Sequence, residues 1–98
     1  DDTYAWAWNG LGLAFAGLRR WDEALSSYEL AVHYNRNDLW FWHNYGEALT
    51  AVGDHRKAAQ AFEQAAALDP EHEATQQKLQ AARERAAALG EDDEDDSL

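Results

Sequence analysis

Residues 6–15 read WAWNGLGLAF and residues 40–49 read WFWHNYGEAL. The stretches lie 34 residues apart, and that shift superposes Trp6 on Trp40, Trp8 on Trp42, Gly12 on Gly46 and Ala14 on Ala48. Carried further, it places Ala24 on Ala58, Glu29 on Glu63 and Ala31 on Ala65. Similar residues also fall together: Leu11 on Tyr45, Phe15 on Leu49, Leu18 on Val52 and Tyr28 on Phe62. A self-match of this period marks a solenoid, in which each unit buries its apolar face against its neighbours.

Within each unit the apolar spacing is helical. Trp8, Leu11, Gly12 and Phe15 recur at three and four residues, as do Ala24, Tyr28, Ala31 and Val32. Gly17-Leu18-Arg19-Arg20 breaks the first unit and Val52-Gly53-Asp54 the second, and such short breaks force neighbouring helices to run antiparallel. The pattern predicts helices over roughly 3–16, 22–35, 39–52, 55–68 and 71–89. A glycine inside a helix costs ~1 kcal/mol relative to alanine. Gly12 and Gly46 therefore imply a close backbone approach, with Ala24 and Ala58 as the facing small surface and Tyr28 and Phe62 filling the space beside it.

These residues carry a family resemblance. The tetratricopeptide pattern reads Trp-x2-Leu-Gly-x2-Tyr, then Ala-x3-Phe, then Pro. The first unit offers Trp8, Leu11, Gly12, Phe15, Ala24 and Tyr28, with Arg36 where the proline belongs. The second offers Trp42, Tyr45, Gly46, Leu49, Ala58, Phe62 and Pro70. The chain thus resembles that family over residues 5–72. The resemblance implies an all-α fold of antiparallel helix-turn-helix repeats forming a short right-handed superhelical solenoid. Its units would be residues 5–38 and 39–72, followed by a capping helix over 73–89. In that last helix Leu79 and Ala82 still match Tyr45 and Ala48, while Gln76 and Gln80 replace the tryptophan and glycine. Its polar Gln77, Lys78, Arg83, Glu84 and Arg85 suit one wet face. Residues 90–98 are a charge run without apolar periodicity, expected to be disordered.

Composition narrows the function. The chain has 98 residues, net charge −11, and neither Cys nor Met, so disulfides and thiolate chemistry are excluded, and it reads as a piece of a longer protein. Six of the 19 acids lie in residues 91–96, which leaves residues 1–90 with 13 acids against 8 bases, net −5. An acidic body without a Lys/Arg stripe repels phosphate, so nucleic acid is not an expected partner. No apolar run approaches the ~20 residues that span a bilayer. No membrane partner is expected, and the location expected is cytoplasmic.

Candidate chemistry is sparse. His33, His43, His55 and His72 follow no metal-ligand spacing, and neither a His-Glu-x-x-His motif nor a Gly-rich phosphate loop is present. His43 and Glu47 sit four apart and are best read as a solvated hydrogen-bonded pair. The chain is therefore not expected to be an enzyme or to hold a cofactor or metal. The resemblance instead implies binding of a peptide or protein in the concave groove lined by the first helix of each unit. The residues it places there are Trp6, Asn9, Leu13, Trp40, His43, Asn44 and Glu47, with Lys78 on the closing helix. One subgroup of the family clamps a C-terminal carboxylate through Lys, Asn and Arg. Asn44 and Lys78 occupy two of those places, but Asn9, Leu13 and Ala74 fill the others and Glu47 adds an acid, which argues against such a clamp.

Trp8 and Trp42 match the packing tryptophan of the family, while Phe41 should pack on the preceding helix around Val32. Trp6 and Trp40 lie two residues earlier, about 200° round the helix. They face either the groove or a further repeat. The partner expected is a segment with apolar and basic residues, bound by a monomer or weakly self-associating chain. The alternative is a structural role, as one segment of a longer solenoid or as a self-assembly unit. An enzyme-associated domain would need catalytic residues outside this piece.

Overall fold

The computed structural model describes residues 2–90; the acidic run that the sequence marks as disordered lies outside the described residues, Gly90 apart. Five helices follow one another: α1 (Asp2–Gly17), α2 (Trp21–Tyr34), α3 (Leu39–Ala51), α4 (His55–Leu68) and α5 (Glu73–Ala88). α1 and α2 form one antiparallel hairpin and α3 and α4 another. α3 packs on α2, α5 packs on α4, and α1 and α3 touch side by side. This is a helical repeat solenoid.

Local signals set the helix ends. Asp38 caps α3 by accepting the Trp40 N–H (2.9 Å), and Asp54 caps α4 by accepting that of Lys57 (3.2 Å). α5 starts at Glu73 rather than 71, because Asp69 and Pro70 make a turn in which the Asp69 carboxylate accepts the Glu71 N–H (3.2 Å). His72 then serves as the N-cap, its Nδ1 accepting the Thr75 N–H (3.3 Å).

The two hairpin turns share one geometry. The Asp54 N–H reaches the Leu49 carbonyl (3.0 Å) and the Gly53 N–H that of Thr50 (3.0 Å), the double bond that closes a helix C-terminus around a left-handed residue. The first unit repeats it, with Arg20 to Phe15 (2.9 Å) and Arg19 to Ala16 (3.0 Å). The left-handed residue is Gly53 (φ 85°) in the second turn but Arg19 (φ 60°) in the first. Gly17 stays within α1, so the first break falls at the register of Gly53 and not at the first glycine met. A residue with a Cβ pays roughly 1–2 kcal/mol in this conformation. Arg19→Gly is accordingly expected to raise stability by about 1 kcal/mol in urea melts; a loss of stability would contradict the turn described.

The core corrects the account of the glycines. A Cβ at Gly12 would lie 2.5 Å from the Tyr28 ring, and one at Gly46 would lie 2.7 Å from the Phe62 ring. Each glycine thus makes room for an aromatic ring rather than for a backbone. Ala24 and Ala58 are fully buried, as are Ala31 and Ala65, each two turns further on. Phe41 is also fully buried and packs with Ala5, Ala31 and Val32, as its spacing predicts. Trp8 and Trp42 are partly buried at this same cluster.

Candidate functional site

α1 and α3 lie side by side, and contacts between them fall one residue off the 34-residue register: Trp6 meets Phe41 and Asn9 meets Asn44, while Leu13 and Glu47 line one recess. Trp6 and Leu13 are seven residues apart on one stripe of α1, about 10 Å along its axis. Three large apolar side chains on these stripes stay open: Trp6 (52% exposed), Leu13 (50%) and Trp40 (51%). Between Leu13 and α3 is a recess of about 430 Å³, lined by Leu13, Ala16, Trp21, Asn44, Glu47 and Ala51 among others.

The indoles are positioned from below. Trp6 meets fully buried Phe41 edge-on, with ring centroids 4.8 Å apart. Trp40 stands edge-on to His43 (5.3 Å) and to His72 (5.2 Å). Each keeps about half its surface in solvent while its orientation is held by a neighbour, which lowers the ordering cost of a contact made by its free half.

Asn9 and His43 lie beneath this surface rather than on it, at 4% and 7% exposure. Asn44 Nδ2 donates to Asn9 Oδ1 (3.0 Å), tying α3 to α1. Lys78 reaches from α5 to Glu47 (3.3 Å), and His43 Nε2 lies 3.5 Å from the same carboxylate. The His43–Glu47 pair is therefore buried on its histidine side and not the solvated pair that spacing suggests. It also leaves the two residues at clamp positions, Asn44 and Lys78, engaged with the chain's own side chains.

The Thr75 hydroxyl, fully buried, sits 2.8 Å from His72 Nδ1 and 3.2 Å from His43 Nδ1. His72 Nδ1 already accepts a main-chain N–H, so it accepts the hydroxyl proton too. The hydroxyl thus links the His43 and His72 rings at the start of α5. Burial holds the His43 imidazole below its ordinary 6.5; the Glu47 carboxylate opposes this, while Lys78 and His72 add to it. The folded chain then binds fewer protons there than the unfolded chain. Its contribution to stability is complete above 6.5 and is lost as pH falls from there toward the folded value. An NMR titration should place the His43 midpoint below 6.5, and a midpoint at or above that value would contradict this packing.

Two models of one family, the Tetratricopeptide repeat, match the chain, at residues 7–39 and at residues 40–72. Together they span both hairpins. The chain belongs to the tetratricopeptide repeat family. No curated protein matches the chain. Repeats of this family are generally non-catalytic and mediate protein–protein interaction. No described helix is long and apolar enough to cross a membrane.

Six residues lining the recess are not among those the sequence places there: Ala16, Trp21, Tyr28, Ala48, Thr50 and Ala51. Trp21 had a signal, since its image one repeat later is His55. A tryptophan where the second unit has a polar residue is not required by the repeat. Two other cavities, about 290 and 440 Å³, flank Trp42 on the side of α3 turned away from Trp40. They lie along seams between packed helices and expose no comparable set of large apolar side chains.

Proposed function

We propose that the tetratricopeptide chain binds a short protein segment along the α1–α3 face, with Trp6 and Trp40 as apolar anchors at one end and the recess beside Leu13 and Trp21 receiving a further apolar side chain. The observation that carries this reading is the set of half-exposed Trp6, Leu13 and Trp40 on one pair of helices, with Leu13 lining a recess of about 430 Å³. Tryptophan in a partly desolvated setting is the residue type most enriched at binding hot spots. Asn44 and Glu47 line the recess and supply its polar groups, while Asn9, His43 and Lys78 hold them in place.

Charge decides the second preference. Glu47 is neutralised by Lys78, so the recess itself favours no strong charge. The net charge of −11 acts at longer range and speeds the approach of a segment carrying Lys or Arg beside its apolar anchors. Contact of such a cation with either indole face adds ~0.5–2 kcal/mol.

Peptides selected from a random display library against the whole chain test the proposal. Binders should be apolar and basic, and Trp6→Ala or Trp40→Ala should each weaken them by about 30-fold, the scale of a hot-spot loss near 2 kcal/mol. Selected peptides that bind both variants as well as the parent would remove the groove assignment.

A further inference from the structure

Trp6 and Trp40 are equivalent by the repeat but stand on different supports. A step of 35 residues leads from Trp6 to Phe41, the fully buried ring it rests on. The same step leads from Trp40 to Thr75, which is also fully buried. A threonine offers no ring, and the indole instead meets two imidazoles, His43 at 5.3 Å and His72 at 5.2 Å. The Thr75 hydroxyl joins those imidazoles through their Nδ1 atoms.

The cap of α5 departs from the repeat at the same place. Shifting His72 back by 34 residues gives Asp38, the carboxylate that caps α3. A carboxylate accepts an N–H through the neutral and mildly acid range. His72 accepts the Thr75 N–H through Nδ1, and can do so only while that nitrogen carries no proton. Histidine is the side chain whose ordinary charge change falls between about pH 8 and 5. A protonated His72 would turn an N–H toward the Thr75 N–H and put a positive charge at a helix N-terminus, which the dipole opposes. The N–H of fully buried Thr75 would then lose its acceptor.

His43 differs in this respect. Its Nδ1 faces the Thr75 hydroxyl oxygen and its Nε2 the Glu47 carboxylate, and both can accept from a protonated ring. The charged groups around the two rings are Glu47 of α3, Lys78 bound to it from α5, Glu73 beside His72, and Asp69 and Glu71 in the turn before. The Asp69 carboxylate is engaged with the Glu71 N–H, and α4 meets His43 with the uncharged Phe62 ring.

We infer that His72 is a positioning residue for the Trp40 anchor, acting through the cap of α5, and that a proton on His72 releases that anchor. This rests on the groove reading above, and it makes the chain grip its partner segment less firmly as pH falls. The loss comes at the Trp40 end, because an indole no longer held pays more to be ordered by a ligand. Trp6, on the apolar Phe41 ring, stays fixed.

The test first follows the whole labelled chain by NMR from about pH 8 to pH 5, with no peptide present. The Trp40 indole N–H should shift with the same midpoint as the His72 ring, while the Trp6 signal stays in place. A histidine-free peptide selected from the display library should then bind about 5-fold more weakly at pH 5.5 than at pH 7.5, the scale of one helix cap. That loss should be absent from His72→Asn, which keeps a capping side chain that takes up no proton and shares every other titration. A Trp40 signal that ignores the His72 midpoint, a Trp6 signal that moves equally with it, or an equal acid loss in the Asn variant overturns the inference. So does tighter binding at the lower pH, which would mean that the charged imidazole strengthens the Trp40 contact. If no peptide binds at either pH, the groove reading fails, whereas a Trp40 signal that titrates with His72 still upholds the positioning.

Discussion

Replacing Gly46 by leucine is expected to destabilise the domain by about 3 kcal/mol or more, whereas Ala51→Leu in the same helix should stay within about 0.5 kcal/mol. Two effects compete at Gly46. A side chain there gains up to ~1 kcal/mol of helix propensity over glycine. Against that, even a Cβ would stand 2.7 Å from the Phe62 ring, well inside contact distance. Phe62 is 1% exposed and packs among Leu49, Ala58, Ala66 and Leu79, so its ring has nowhere to swing. The clash therefore outweighs the propensity. Ala51 is exposed and meets no such wall. Chemical denaturation of the two variants decides the matter, and equal losses would remove this account of the glycines. Combining Gly46→Leu with Phe62→Ala should cost less than the two separate losses together, since the smaller side chain vacates the contested volume.

Phe41→Ala is expected to cost ~3–5 kcal/mol, the range for deleting a fully buried phenylalanine. A domain of this length has only about 5–15 kcal/mol of stability to lose. Phe41 joins the two hairpins through Ala5, Ala31 and Val32, and its ring also supports Trp6 at 4.8 Å. The substitution should thus loosen the groove as well as the core. Urea melts give the first effect, and Trp6 indole line width by NMR gives the second. A loss under 1 kcal/mol, or an unchanged Trp6 signal, would show that Phe41 does not couple the two.

Most of the fold was legible because the repeat is strict where packing is tight. Gly12 with Gly46, Ala24 with Ala58 and Tyr28 with Phe62 are the residues whose volumes the hairpin cannot vary, and they recur at a fixed spacing. The role of the glycines was misjudged for a physical reason. Helical spacing places Gly46 and Phe62 on facing helices but does not say whether ring or backbone fills the gap. The groove was less legible. Its stripe of Trp6, Leu13, Trp40 and Glu47 was implied by the family resemblance, and helical angle left Trp6 and Trp40 facing either the groove or a further repeat. Which side chains stand free depends instead on contacts across helices, such as Asn9 with Asn44 and His43 with Thr75. Trp21, which reaches the recess from α2, was marked only by its departure from His55 one repeat later.

The five indole N–H groups offer the most direct test of the groove. In a ¹H–¹⁵N spectrum of the labelled chain, a selected apolar-basic peptide should move the Trp6 and Trp40 signals most and that of Trp21 next. The Trp42 signal, held by the Arg36 carbonyl within the α2–α3 seam, should stay in place. Shifts confined to Trp8 and Trp42, with Trp6 and Trp40 unmoved at saturation, would contradict binding on the α1–α3 face.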